Sequence, residues 1–155
     1  MRGGYAVART PSATYARSVT EFLSAEWIDQ LDAALRAAPN LDGGPFVLEQ
    51  VVNEVPRRGV VRYRLVVADG TARVSRESDA PVDVRLTTDY ETAVAIARGD
   101  ANAQVALSQG RLRITGDSEA LTRHADELRQ LATAGAELRP TTTFPRVIGS
   151  ARDVG

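Results

Sequence analysis

The sequence contains no cysteine and no lysine. The first absence excludes disulfides, thiolate metal sites and a cysteine nucleophile. The second excludes Schiff-base chemistry and the lysine of a phosphate-binding loop. All 19 basic residues are therefore arginine, in a chain rich in Ala and Val and poor in Asn. With one histidine and no tight carboxylate cluster, no metal site is expected. No Gly-x-Ser-x-Gly elbow occurs, and no Gly-x-Gly-x-x-Gly follows a strand, so neither a serine hydrolase nor a dinucleotide fold finds support. No cofactor is called for. No stretch reaches the roughly 18 apolar residues of a membrane span, and Met1 to Phe22 lacks the apolar core of a secretory signal. The expected location is the cytoplasm. A formal net charge of -1 argues against a general nucleic-acid binder, which carries a basic excess.

What is present has the proportions of one globular domain: 155 residues, 43% hydrophobic and 25% charged. Residues 1–20 hold Arg2, Arg9 and Arg17 without an acid and show no periodicity, so a flexible N-terminal tail is expected. The domain is expected over 21–137, with a second tail over 138–155, rich in threonine and proline.

Within the domain the patterns alternate in type. Ser24 suits a helix N-cap, and Trp27, Ile28, Leu31, Leu35 and Ala38 recur at helical spacing. Phe46 to Val55 is β-rich without clean alternation. Val61, Tyr63, Leu65 and Val67 then alternate with arginines, and Asp69-Gly70 marks a two-residue hairpin leading to Ala72 and Val74. Val82, Val84 and Leu86 alternate again. Thr88 to Glu91 reads as a capping box opening a short helix. A second short helix covers Ala101 to Ser108, Arg111 to Thr115 form a strand, and a final helix begins near Gly116-Asp117-Ser118. This order lacks βαβ alternation. It predicts an α+β domain whose mostly antiparallel sheet is covered on one face by helices.

The segment Val82-Asp83-Val84-Arg85-Leu86-Thr87-Thr88-Asp89, the turn Gly99-Asp100-Ala101-Asn102 and the run Gln109-Gly110-Arg111-Leu112-Arg113-Ile114-Thr115-Gly116-Asp117 resemble, as an ordered set, the sterol carrier protein 2 family. With the upstream hairpin the resemblance covers roughly residues 24–134. It implies a five-stranded sheet with helices on one face and an apolar cavity between the layers, in which members carry sterols, acyl chains or other lipids. Leu107 departs from the pattern, since many members have an aromatic residue there.

The expected function is binding of a lipid-like or other apolar small molecule in that cleft, each buried methylene contributing about 0.8 kcal/mol. The expected lining residues are Tyr63 and Leu65 on the hairpin, Val84, Leu86, Leu112 and Ile114 on the later strands, and Val94, Leu107, Leu121 and Leu128 on the helices. His124 lies on the apolar face of the last helix. It either touches the ligand head group, acts as an acid–base group, or is a hydrogen-bonded core residue. Two rivals stand beside the carrier reading. One is an isomerase- or cyclase-type enzyme using His124 or a cleft tyrosine. The other is a protein-interaction module with a solid core. Arg62, Arg64, Arg73, Arg85, Arg111 and Arg113 point away from the core; they form a solvated face, or a contact for acidic protein or membrane head groups. An uncovered sheet face would also suit a homodimer.

Overall fold

The computed structural model describes residues 19–38 and 41–146; residues 1–18 of the tail expected over 1–20, residues 147–155 of the tail expected over 138–155, and Pro39, expected to stop the first helix, lie outside them. The elements follow in the order β1 (Thr20–Glu21), α1 (Ala25–Arg36), β2 (Phe46–Val55), β3 (Gly59–Ala68), β4 (Thr71–Ser75), β5 (Val84–Asp89), α2 (Tyr90–Arg98), α3 (Ala103–Ser108), β6 (Leu112–Gly116), α4 (Ser118–Arg123), α5 (Ala125–Ala136) and β7 (Thr142–Thr143).

The main sheet has the strand order β4-β3-β2-β5-β6. Its pairs are antiparallel except β2 with β5, so the α+β expectation of a five-stranded, mostly antiparallel sheet holds. Asp69 and Gly70 both have positive φ (54° and 79°), which a two-residue turn of the expected hairpin type requires. The ladder pairs Leu48 with Leu65 and Val84, and Leu65 with Val74. A row of aliphatic side chains thus runs across four strands on the face turned to the helices.

The irregular pattern of β2 has a physical cause. The strand is central and buried on both faces: Leu48 and Val52 lie under the helices, while Glu49 and Val51 are buried on the opposite face. On that opposite face Arg64 and Arg85 both pair with Glu49. Arg64 also donates to the carbonyls of Ser78 and Ala80, each at 2.8 Å, which fastens the connection from β4 to β5. Burial alone would push the Glu49 carboxyl up, but the two guanidinium groups outweigh it and hold the group below the ordinary carboxylate value.

Helix α1 begins at Ser24, whose side chain accepts from Trp27 N. It lies along edge strand β4, where Asp32 Oδ1 accepts from Val74 N at 2.7 Å. Asp32 also pairs with Arg73, so one carboxylate occupies an edge donor that would otherwise be open to another strand.

Three expectations are corrected. The cap of α2 is Asp89, which accepts from Thr92 N at 2.8 Å; Thr88 instead donates to the Arg111 carbonyl, because as the last inward residue of β5 it faces its partner strand. The single final helix is two, α4 and α5, meeting at His124 with φ -108° and ψ 20°. Residues 138–146 do not form a tail. They make a 3-10 turn at Arg139–Thr141 and then β7, which pairs in parallel with β1. Leu138 and Phe144 pack on the core, and burial of these apolar groups holds the segment down.

Among the described residues, no helix is long and apolar enough to cross a membrane.

An apolar cavity between sheet and helices

Between the inner sheet face and helices α1, α2 and α5 lies a cavity of about 460 Å³. That falls within the roughly 300–1,000 Å³ of small-molecule sites. Its floor is the sheet, through Leu48, Tyr63, Leu65, Leu86 and Leu112. The α1 wall carries Trp27, Leu31 and Leu35, and the α5 wall carries Leu128 and Leu131. The C-terminal segment closes another side with Leu138 and Phe144.

The walls hold their shape through aromatic contacts. Phe22 meets Trp27 edge-on at 4.9 Å and Phe144 at 5.1 Å. Trp27 in turn approaches Tyr63 at 6.2 Å with the rings near perpendicular. Edge-to-face contacts of this kind add to the area they bury. Tyr90, under the same cluster, donates to the Pro145 carbonyl at 2.6 Å, and burial pushes its phenol up to about 12.

Five of the expected site residues line this cavity: Tyr63, Leu65, Leu86, Leu112 and Leu128. The other six do not. Val84 is wholly buried, one ladder step from the cavity. Val94, Ile114 and Leu121 pack on the core from partly buried positions away from the cavity. Leu107 is 41% exposed on the outside of short helix α3, where Ala106 is the buried residue and the exposed Ala103 borders the cavity. His124 is buried, stacks on Phe46 with ring centres 4.4 Å apart, and places Nδ1 2.7 Å from Glu127 Oε1. The second Glu127 oxygen accepts from Gly43 N. This network joins α5 to the loop before β2 and contributes nothing to the cavity wall. Of the readings open for His124, the hydrogen-bonded core residue fits its place.

Sequence reasoning missed Trp27, Phe144 and Gln50, all of which line the cavity. Trp27 was legible as an inward residue of α1. Gln50 and Phe144 carry no such local signal.

Of the six arginines expected on one polar face, Arg64 and Arg85 share Glu49, and Arg73 is held by Asp32. Among the described residues no group of three or more His, Asp or Glu side chains is placed to hold a metal ion.

The fold and the sequence agree with one family. The model of the SCP-2 sterol transfer family matches residues 29–129. Among solved structures, the solution structure of a conserved protein from Thermus thermophilus is 20% identical, with a TM-score of 0.59 over 84% of this chain and 96% of that one. A crystal structure of sterol carrier protein 2 is 18% identical, with a TM-score of 0.57 over 76% of this chain and 98% of that one. No curated protein matches the sequence. A family model spanning well over half of the residues, together with the same sheet and helix arrangement in both structures, places the chain in the SCP-2 sterol transfer family.

Proposed function

We propose that the protein binds a lipid-like, apolar small molecule in the cavity between its sheet and its helices. One observation carries the reading: an aliphatic and aromatic cavity of about 460 Å³ in a core that could have been closed. An empty apolar void sacrifices packing contacts and costs stability in proportion to its volume. A ligand restores those contacts, and about 10 buried methylenes would contribute several kcal/mol even after association costs. Membership of a family described by sterol transfer supports the same reading.

The test is native mass spectrometry of the purified protein, with extraction and identification of any released molecule, followed by the cavity-filling variant Ala97→Phe. Ala97 lines the cavity from α2 and is partly buried. A bound apolar molecule that is lost in the folded variant supports the proposal. A clean protein mass with no uptake from a mixed lipid panel refutes it.

A further inference from the structure

The cavity contains two polar side chains that the fold does not use. Gln50 on β2 and Tyr63 on β3 are direct cross-strand partners on the inner face of the sheet, and Gln50 also faces Leu86 across β5. Both belong to strands with neighbours on either side, under the helices. Both nevertheless retain accessible surface and line the cavity, so the surface they keep open is turned into it. Among the described residues neither side chain makes a hydrogen bond, whereas the buried Thr88 hydroxyl has a backbone partner.

We infer that Gln50 and Tyr63 form a hydrogen-bonding site inside the cavity for an uncharged polar group, a hydroxyl or a carbonyl, on an otherwise apolar ligand. The inference rests on the binding function proposed above and specifies its ligand class. A carboxamide supplies two N–H donors and a carbonyl acceptor, and a phenol supplies one donor and an acceptor. Side by side they can donate to one ligand oxygen while accepting its proton. Polar atoms without partners are costly in apolar surroundings. Leucine and phenylalanine would fill these positions at lower cost if packing were their only role.

The charge of the head group follows from the neighbours. Around the pair stand Leu48, Leu65, Leu86 and Val52, and among the described residues Arg139 is the one cation of the lining. Arg139 is exposed, and its Nε donates to the Ala97 carbonyl at the end of α2. An anion at Gln50 would lose its hydration without a counter-charge. Burial pushes the Tyr63 phenol above its ordinary value, so it remains a neutral donor throughout the physiological range.

The protein carries its own reporter. Trp27 is the single tryptophan, lines the cavity and sits 6.2 Å from the Tyr63 ring. Its fluorescence can be titrated with dodecan-1-ol and with dodecane on the wild-type protein and on Gln50→Leu and Tyr63→Phe. The wild type should prefer the alcohol. In each variant the preference for the alcohol over dodecane should fall about three- to tenfold, the worth of one hydrogen bond. Both variants should also melt at or above the wild-type temperature, which a structural role for either side chain would reverse. A preference unchanged in both variants while dodecane still binds would overturn this assignment and leave the apolar-binding proposal standing. Uptake of neither ligand, checked by native mass spectrometry, would overturn both.

Discussion

Thr92 and His124 show how differently two buried polar residues can be placed. Thr92 is fully buried in α2, and its hydroxyl has no partner among the described residues. Thr92→Val keeps the shape and removes the unpaired oxygen. We predict that it leaves stability unchanged or raises it by up to about 1 kcal/mol, read by urea denaturation; a clear loss would mean that the hydroxyl is satisfied in solution. His124 is the opposite case, with both its ring face and Nδ1 engaged. His124→Ala should cost about 2–4 kcal/mol, since it opens a void beside Phe46 and strips a partner from buried Glu127. Ligand affinity of the folded variant, followed through Trp27, should stay within about twofold. A large loss of affinity with normal stability would return His124 to the binding site. The sequence pattern marked His124 as inward-facing, which its burial bears out, but it hid the break between α4 and α5 at that residue, and a histidine beside leucines looks the same whether it meets a ligand or a carboxylate. Gln50 was hidden for another reason. It lies in a strand buried on both faces, where alternation no longer marks which residues point inward.

At the level of elements, the readable signals were those with a single physical solution. Asp69-Gly70 between alternating runs admits little except a tight hairpin. Ser24 ahead of an apolar stripe fixes the start of α1, and Ser24→Ala should destabilise the protein by about 1 kcal/mol, measured as a shift in the urea midpoint. Signals with two solutions misled. Thr88 and Asp89 are both good cap residues, and only the facing strand decides between them. Leu107 lies on a six-residue helix, too short for periodicity to define a buried face. Its exposure predicts that Leu107→Gln changes stability by less than about 0.5 kcal/mol and leaves ligand uptake intact; thermal melting and the Trp27 titration check both. Phe144 stands alone among threonines and prolines, and nothing local announces that its ring completes a cavity built from residues far earlier in the chain.

Across the whole molecule, opposite faces of one sheet do different work. The inner face leaves space, while the outer face is tied together through Glu49, the arginines of β3 and β5, and the β4–β5 connection. Because the folded pKa of Glu49 is depressed, its contribution to stability is present above the ordinary carboxylate value of 4.5 and is lost as pH falls through the depressed value. Asp32 has the same sign, as burial is outweighed by Arg73 and the Val74 N–H. The melting temperature should therefore fall on acidification below about pH 4–5, and the fall should be shallower in Glu49→Gln. Parallel acid limbs in the two proteins would remove Glu49 as a source of the effect.

The pairing of β1 with β7 also has a meaning in time. It joins Thr20 to Thr142 and Glu21 to Thr143, positions 122 apart, and it is secured by a two-residue ladder with Phe22 N donating to the Thr143 carbonyl at 2.9 Å. Contacts this distant in sequence demand the most loop closure, while so few bonds return little for it. The hairpin and the helices can assemble first; the strand that brings Phe144 to the wall arrives late. The same economy governs opening, because a short, peripheral ladder is the first to give way in the native protein. In hydrogen exchange the Phe22 amide should thus lose its protection well before those of Leu65 and Val52. Equal rates would mean that the molecule opens as one unit. If Phe22 exchanges first, the last contact to form is also the first to open, and its opening uncovers the side of the cavity that Phe144 closes.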